Sequence, residues 1–139
     1  MTYVFAALRE QIIERAGARC EYCQYPQASS LFAFEMEHVI AEKHGGRTEL
    51  ENLALACPFC NRAKGTDLGS IDPETGVLTA FYNPRKEVWS DHFILEGALI
   101  RPITPAGRVT VAILQLNNAD RLTERELLIG GGQYASPDE

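Results

Sequence analysis

The stretch that decides the fold is residues 36–64, MEHVIAEKHGGRTELENLALACPFCNRAK. Near its start an acidic residue stands directly before a histidine, at Glu37 and His38. An asparagine follows at Asn52, and a second asparagine, Asn61, comes directly after the cysteine pair that closes the stretch. Carboxylate, imidazole, amide and thiol groups in one short segment are typical of a site that performs chemistry or binds metal.

Two C-x-x-C pairs contain all the cysteines of the chain: Cys20, Cys23, Cys57 and Cys60. Four thiolates suit tetrahedral zinc, at Zn–S distances of about 2.3 Å. The pairs are 33 residues apart, more than the roughly 15–20 residues of a compact zinc ribbon, so further structure is inserted between them. Two disulfides, or one redox dithiol, are the alternatives. Because the N-terminus does not resemble a secretory signal, we expect a cytoplasmic protein with a structural zinc site whose four positions are all filled by cysteine.

Composition sets the limits within which these motifs are interpreted. The chain has 139 residues, 45% of them hydrophobic, which predicts one domain, residues 1–132, followed by a flexible tail, residues 133–139. No apolar run approaches the roughly 20 residues that cross a bilayer, so no membrane segment is expected. The net charge of −6 argues against a nucleic-acid ligand without excluding it, because the first half of the chain is nearly neutral.

The deciding stretch reads as strand, loop, strand and helix. Strands are predicted over Phe34–Ala41 and Leu53–Ala56, and a helix from Pro58 to Gly65, since proline suits the first helical turn. Apolar residues at three- and four-residue spacing predict an earlier helix between Val4 and Ala16. This order predicts an α+β domain.

The rest of the chain reads as support for this unit. A hairpin is predicted within Ile71–Tyr82, a short strand over Ala98–Ile103, and a last helix over Leu122–Ile129. A helix is also predicted from Thr104 to Leu116, because threonine followed by proline is typical of a helix start. Residues Val109–Leu116 are apolar enough to form a strand instead, and periodicity alone does not decide between the two.

The two cysteine pairs, EMEHVI, the GG loop, ENLALAC and CNRAK stand in an order that resembles the HNH endonuclease family. IDPETGVLTAFYNPRKEVWSDHF and TPAGRVTVAILQLN resemble the later part of one bacterial subgroup. The resemblance implies a ββα-metal core (HNH, or His-Me finger) with a four-cysteine zinc site, flanking helices and a small hairpin.

The same resemblance implies a role for each residue of the motif. His38 corresponds to the general base that takes a proton from water. Glu37 and Asn61 correspond to the ligands of a catalytic divalent ion, and Asn52 to the residue that orients the loop carrying the base. The implied reaction is hydrolysis of phosphodiester bonds, leaving a 5′-phosphate and a 3′-hydroxyl.

These residue types are chemically suited to such roles. Carboxylate and amide oxygens are hard ligands that favour Mg²⁺ or Mn²⁺, and free imidazole, with a pKa of about 6.5, is a base near neutral pH. Adjacent residues of a regular strand point to opposite faces, so Glu37 and His38 are expected at a strand end or a bulge. The family more often has aspartate at the position of Glu37, and a misplacement of about 1 Å can cost on the order of a hundredfold in rate.

The predicted substrate is nucleic acid, DNA before RNA, cut by a monomer or a homodimer. Candidates for a phosphate-facing patch are Arg62, Lys64, Arg85 and Lys86, which flank the motif in sequence, although ordinary surface charges would look the same. Two alternatives to a nuclease stay open. One is a non-catalytic, zinc-stabilised nucleic-acid-binding module, and the other is a zinc-stabilised protein-interaction module that uses the more acidic second half of the chain.

Overall fold

The computed structural model describes residues 4–134 of the chain. Within this range the fold is α+β, as predicted, with four α-helices and three antiparallel two-stranded sheets joined by loops and short 3₁₀ turns. In chain order the elements are α1 (Ala6–Arg15), β1 (Glu35–His38), β2 (Leu53–Ala56), α2 (Pro58–Lys64), β3 (Gly69–Ile71), β4 (Leu78–Ala80), β5 (Phe93–Glu96), β6 (Leu99–Pro102), α3 (Pro105–Ile113) and α4 (Ala119–Gly130).

The predicted ββα unit is formed by β1, β2 and α2. β1 and β2 pair in a regular register, from Glu35 opposite Ala56 to His38 opposite Leu53. Every residue of β2 is buried, which explains why it reads as an unbroken apolar run. α2 follows directly, with Cys57 as its N-cap and Pro58 in its first turn. The strand–loop–strand–helix prediction is confirmed, with β1 shorter than expected.

Helix α1 packs against β2 and the turn before it. Its Ile12 side chain is fully buried, and the Arg15 guanidinium donates hydrogen bonds to the carbonyls of Leu50, at 2.7 Å, and of Leu53. The helix stops at Ala16 and the chain reverses at Gly17, whose φ of +64° lies in the region that glycine enters without strain. α1 is therefore tied to both ends of the loop that leads into β2.

The C-terminal half combines two hairpins with two helices. β3 and β4 form the predicted hairpin, and β6 lies within the predicted strand 98–103, but its partner β5 was missed. Residues 105–113 are helical. The Thr104 side chain caps this helix by accepting a hydrogen bond from the Gly107 N–H at 3.0 Å, and this local capping decides the choice that periodicity left open.

One hydrophobic core joins the elements, from Val4 to Leu116, with the four cysteines inside it. The predicted tail from residue 133 is wrong at Tyr134, which is buried and donates a 2.7 Å hydrogen bond to the carbonyl of Cys23. This long-range contact gives the aromatic ring a buried site that local sequence cannot reveal. Residues 135–139 lie outside the described range. No helix between residues 4 and 134 is long and apolar enough to cross a membrane.

Candidate functional site

The four cysteines form one buried cluster. Their sulfur atoms all lie within 4.8 Å of one another, and none of them is in a disulfide. Cys23 Sγ and Cys57 Sγ are 3.8 Å apart, which matches the roughly 3.8 Å edge of a tetrahedron with Zn–S distances of about 2.3 Å. The cluster therefore fits a structural zinc ion, with all four ligands supplied by protein.

Tight turns present the sulfur atoms. At the second pair, Cys57 precedes α2, and its Sγ accepts the Cys60 N–H at 3.3 Å, as an N-cap side chain does. At the first pair, the chain folds back so that the Gln24 N–H donates to the carbonyl of Cys20 at 2.8 Å, with Gln24 at a φ of +66°. Both pairs thus converge through local backbone geometry that the C-x-x-C spacing encodes.

Arg121 of α4 approaches the same cluster and was not predicted from the sequence. Its Nη2 lies 3.1 Å from Cys60 Sγ, and its Nη1 donates to the carbonyl of Leu114 at 2.8 Å. The guanidinium also lies over the ring of Phe59, 4.7 Å from its centre. A buried cation beside thiolates offsets part of their negative charge. The sequence feature that could have indicated this contact is the pair Arg121 and Arg125, four residues apart on one face of an amphipathic helix.

His38 is the last residue of β1, so it lies at a strand end, as expected. Its Nε2 is 2.8 Å from the Thr48 hydroxyl and 3.8 Å from the Glu42 carboxylate, and 15% of its side chain is exposed. The ring lines a surface cavity of about 780 Å³, together with Glu37 and Asn61. The structure therefore places three of the four motif residues around one cavity.

Asn52 does not line this cavity; it closes the loop between β1 and β2. Its side-chain oxygen accepts the Ile40 N–H at 2.9 Å, and its Nδ2 donates to the carbonyls of Ile40 and Arg47, both at 2.9 Å. Gly46 lies inside this loop, where an added Cβ would stand 1.7 Å from the Ile40 carbonyl oxygen. These contacts suit the predicted role of a residue that orients the loop and does not touch substrate.

Glu37 is 3% exposed, and both of its carboxylate oxygens are engaged. One oxygen is 2.6 Å from Lys64 Nζ, and the other accepts the Tyr22 hydroxyl at 2.7 Å. Burial raises the pKa of Glu37, while the Lys64 ammonium and the Tyr22 hydroxyl act in the opposite direction. Both oxygens thus have partners in this structure, and coordination of a divalent ion by Glu37 stays a prediction.

Asn61 lies in the first turn of α2 and faces the cavity. No side-chain hydrogen bond engages its amide within residues 4–134. The cavity also contains the carboxylates of Glu35 and Glu42. Amide and carboxylate oxygens are the ligands that Mg²⁺ and Mn²⁺ prefer, so this part of the cavity is chemically suited to a hard divalent cation.

The predicted phosphate-facing patch needs correction. Lys64 is 2% exposed; its ammonium contacts Glu37 and donates to the carbonyl of Val39 at 3.0 Å. The Arg85 side chain, 9% exposed, is paired with Glu21. Each of these two cations is therefore held against a carboxylate of the protein, Glu37 or Glu21, and not presented to a phosphate. Arg62 is exposed but does not line the cavity.

The cations that do line the cavity are Arg9 of α1 and Lys43 of the 3₁₀ turn after β1. Sequence reasoning missed both, together with Thr48. Arg9 lies far from the motif in sequence, so nothing local connects it with His38. Lys43 and Thr48 lie inside the motif loop. The direction in which each side chain points is set only when the loop folds, so the sequence does not show it.

Comparisons with known proteins bear on the segment that builds this site. The profile of the family described as HNH endonuclease matches residues 20–67. The chain is also similar to Septu protein PtuB of Bacillus thuringiensis, with 26% identity over 121 residues that cover 86% of this chain and 44% of the relative. The chain thus spans less than half the length of that relative. No solved structure gives a significant match.

The matched segment contains both cysteine pairs, the whole ββα unit and the motif residues that line the cavity. The fold and the four-cysteine cluster are those that the resemblance implies. The resemblance of this chain to the HNH endonuclease family is therefore confirmed over residues 20–67.

Proposed function

We propose that this protein is a metal-dependent nuclease of the HNH type that hydrolyses phosphodiester bonds, in DNA before RNA. The observation that carries the proposal is that His38 and Asn61 line one open cavity, inside the segment that matches the HNH endonuclease family. The buried cysteine cluster, to which α2 contributes Cys60, supports that segment, with a structural zinc ion as its suitable occupant. The cytoplasmic location predicted from cysteine usage stays a prediction.

His38 has the surroundings that a general base needs. If its Nε2–H donates to Thr48 Oγ1, at 2.8 Å, the other ring nitrogen, Nδ1, keeps a free electron pair for a proton. In the proposed reaction, His38 takes a proton from water while the water oxygen attacks phosphorus. The bond from phosphorus to the 3′ oxygen breaks, and that oxygen takes a proton from solvent water, which leaves a 5′-phosphate and a 3′-hydroxyl. General base catalysis of this kind contributes about 10² to 10⁴ in rate.

The proposal includes a catalytic divalent ion, and the two predicted ligands of that ion differ in how free their side chains are. A bound Mg²⁺ or Mn²⁺ would supply positive charge close to the scissile phosphate. Asn61 is the predicted ligand that has no competing side-chain partner within residues 4–134. Glu37 would bind the ion either beside its present partners Lys64 and Tyr22 or after leaving them, so no step of the reaction is assigned to Glu37.

The engaged carboxylate of Glu37 favours a second candidate function. A chain that keeps the HNH fold but holds this carboxylate in a buried ion pair would bind nucleic acid without cutting it efficiently. The similarity to Septu protein PtuB does not decide between the two candidates, because the aligned region covers only 44% of that protein. The activity, substrate and partners of that whole protein are therefore not transferred to this chain.

Cleavage of supercoiled plasmid by zinc-loaded protein tests the two candidates. Mg²⁺ or Mn²⁺ is added or withheld, and wild type is run beside His38→Ala. The matched control is His44→Ala, because His44 is exposed on the same loop and does not line the cavity. We expect metal-dependent nicking that falls by about 10² or more in His38→Ala and persists in His44→Ala.

Two results contradict a nuclease that uses His38. One is cleavage that survives His38→Ala unchanged. The other is no cleavage of plasmid or RNA by folded, zinc-loaded wild type. If that inactive wild type still binds nucleic acid with steep salt dependence, the binding module is the correct function.

A further inference from the structure

A protein with a net charge of −6 needs particular cations wherever it contacts a phosphate backbone. Two of the cations predicted to face phosphate, Lys64 and Arg85, are held by carboxylates and cannot serve. The phosphate contacts of the proposed substrate must therefore come from other residues. Those residues have to reach the cavity that contains His38, because the phosphate under attack lies within reach of the base.

Arg9 and Lys43 meet this requirement. Both line the cavity of His38 and Asn61, and they come from separate elements, Arg9 from α1 and Lys43 from the 3₁₀ turn 42–44. Within residues 4–134, neither side chain has an ion-pair partner. An unpaired guanidinium or ammonium group at a concave site is well suited to phosphate oxygens.

The same cavity also contains carboxylates, which oppose an anionic ligand. Glu35 and Glu42 line it, and Glu42 lies 3.8 Å from His38 Nε2. Unless a cation offsets them, these charges repel a phosphate over distances shorter than the Debye length of about 10 Å at 0.1 M salt. Arg9 and Lys43 supply that opposite charge from the protein itself, whatever ion is bound.

We propose that Arg9 and Lys43 bind the backbone phosphates that flank the scissile bond, so that helix α1 forms part of the nucleic-acid interface. This inference rests on the proposed function, since it assigns the phosphate contacts of that site. It also gives α1 a role beyond packing on β2, because the helix carries a cation to a cavity whose motif residues all come from residues 35–66.

Binding of a labelled DNA duplex and a labelled single strand, followed by fluorescence anisotropy, tests the inference. The parent protein is the His38→Ala chain, so that cleavage does not interfere with binding. Arg9→Gln/Lys43→Gln in that parent is compared with Arg47→Gln/Arg101→Gln, which removes the same charge from two exposed cations that lie outside the cavity and were not predicted to face phosphate. Salt is varied from about 50 to about 200 mM, the range over which phosphate contacts change affinity most visibly.

We expect the cavity variant to bind about tenfold or more weakly, and its log–log salt slope to fall by about 2 on duplex, at about 0.9 per lost phosphate contact. The control should keep the parent's slope. Arg9→Lys, which keeps the charge, should restore most of the affinity. Zinc content and thermal midpoint, measured on every variant, show that each chain is folded.

The outcomes separate this inference from the proposed function. Equal binding by the parent and the cavity variant, or an equal or larger loss in the control, overturns the role of Arg9 and Lys43 and leaves the nuclease proposal standing. If wild type cuts no nucleic acid but the cavity variant shows the expected loss of binding, the interface is supported and the nuclease proposal is overturned. If the parent binds no nucleic acid at all, both proposals fail.

Discussion

The imidazole of His38 forms a hydrogen bond with the hydroxyl of Thr48 across the loop that joins β1 to β2. The proposed base needs one ring nitrogen free and correctly aimed, and the Thr48 hydroxyl, which can donate or accept, restrains the orientation of the ring through Nε2. The loop itself is held by Asn52, whose amide bonds to the backbone at Ile40 and Arg47. At the scale of single residues, the site thus depends on polar contacts inside one loop.

Thr48→Val tests this contact, because valine keeps the shape and removes the hydroxyl. We expect the cleavage rate to fall between about tenfold and about a hundredfold, since a base displaced by about 1 Å costs on that order. The pH profile of cleavage should also change, because the imidazole loses its hydrogen bond to the hydroxyl. Steady-state cleavage over a range of pH measures both effects.

Thr48→Ser is the matched control for this prediction, since serine keeps the hydroxyl. Its rate should lie close to that of wild type. A Thr48→Val protein that cuts at the wild-type rate with an unchanged pH profile would show that His38 is oriented by something else.

At the scale of elements, a buried carboxylate of the β3–β4 turn binds Arg108 of α3, which also pairs with Glu74 of that turn. Asp72 is fully buried, and its oxygens accept hydrogen bonds from Arg108 Nε and Nη2 at 2.9 and 2.8 Å. The Glu74 N–H and the Thr75 hydroxyl bond to the same carboxylate and shape the turn. One residue therefore organises the hairpin turn and its contact with the helix.

Asp72→Asn is predicted to reduce stability in a pH-dependent way. Hydrogen bonds from Arg108 hold the pKa of Asp72 well below its ordinary value, against the opposing effect of burial. The folded chain thus keeps Asp72 ionised to lower pH than the unfolded chain does. The contribution of Asp72 to stability is present above the unfolded pKa of about 3.9 and is lost as pH falls through the folded-state pKa.

Urea unfolding between about pH 7 and about pH 3 measures this effect. The midpoint of wild type should exceed that of Asp72→Asn at neutral pH, and the gap should shrink with acidification. Glu96→Gln is a suitable control, because Glu96 and Arg101 form an exposed pair on the other hairpin, and exposed pairs contribute little. A gap that stays constant with pH would contradict the prediction.

At the scale of the whole molecule, the cysteine cluster connects parts of the chain that are far apart in sequence. Arg121 of α4 contacts Cys60, and the Tyr134 hydroxyl bonds to the carbonyl of Cys23. Trp89 Nε1 donates to the carbonyl of Tyr22, between the first two cysteines, at 2.9 Å. Both cysteine pairs are therefore held from outside by residues of the C-terminal half.

Removal of zinc is expected to unfold more than the cysteine turns. Zinc binding contributes on the order of 10 kcal/mol of folding energy in small zinc domains, and here the four thiols lie inside the common core. The thermal midpoint should fall sharply with excess chelator. Because Trp89 is the only tryptophan of the chain, its fluorescence should shift towards that of a solvated indole.

Adding zinc back should restore both signals. A protein shown to be free of zinc by elemental analysis, yet with an unchanged midpoint and unchanged Trp89 emission, would contradict the structural role of the ion. Cys57→Ser provides a genetic counterpart and should behave like the chelated protein.

The sequence by itself determined the elements whose signals are local. The C-x-x-C turns, the buried apolar run of β2 and the proline-started α2 follow from neighbouring residues, and the fixed order of the motifs identified the HNH resemblance. His38 and Asn61 were found in the same way. These features depend on the spacing and chemistry of a few adjacent positions, which a sequence displays directly.

Only the tertiary structure decided which charged groups face the cavity. Lys64 and Arg85 were predicted to face phosphate but are paired with carboxylates instead. Arg9 reaches the cavity from helix α1. Arg121 likewise reaches the cysteines from the C-terminal half. Lysine and arginine side chains are long and flexible, so their direction follows the carboxylates and carbonyls that packing brings near them. Those partners come from other elements, and only the folded chain brings them together.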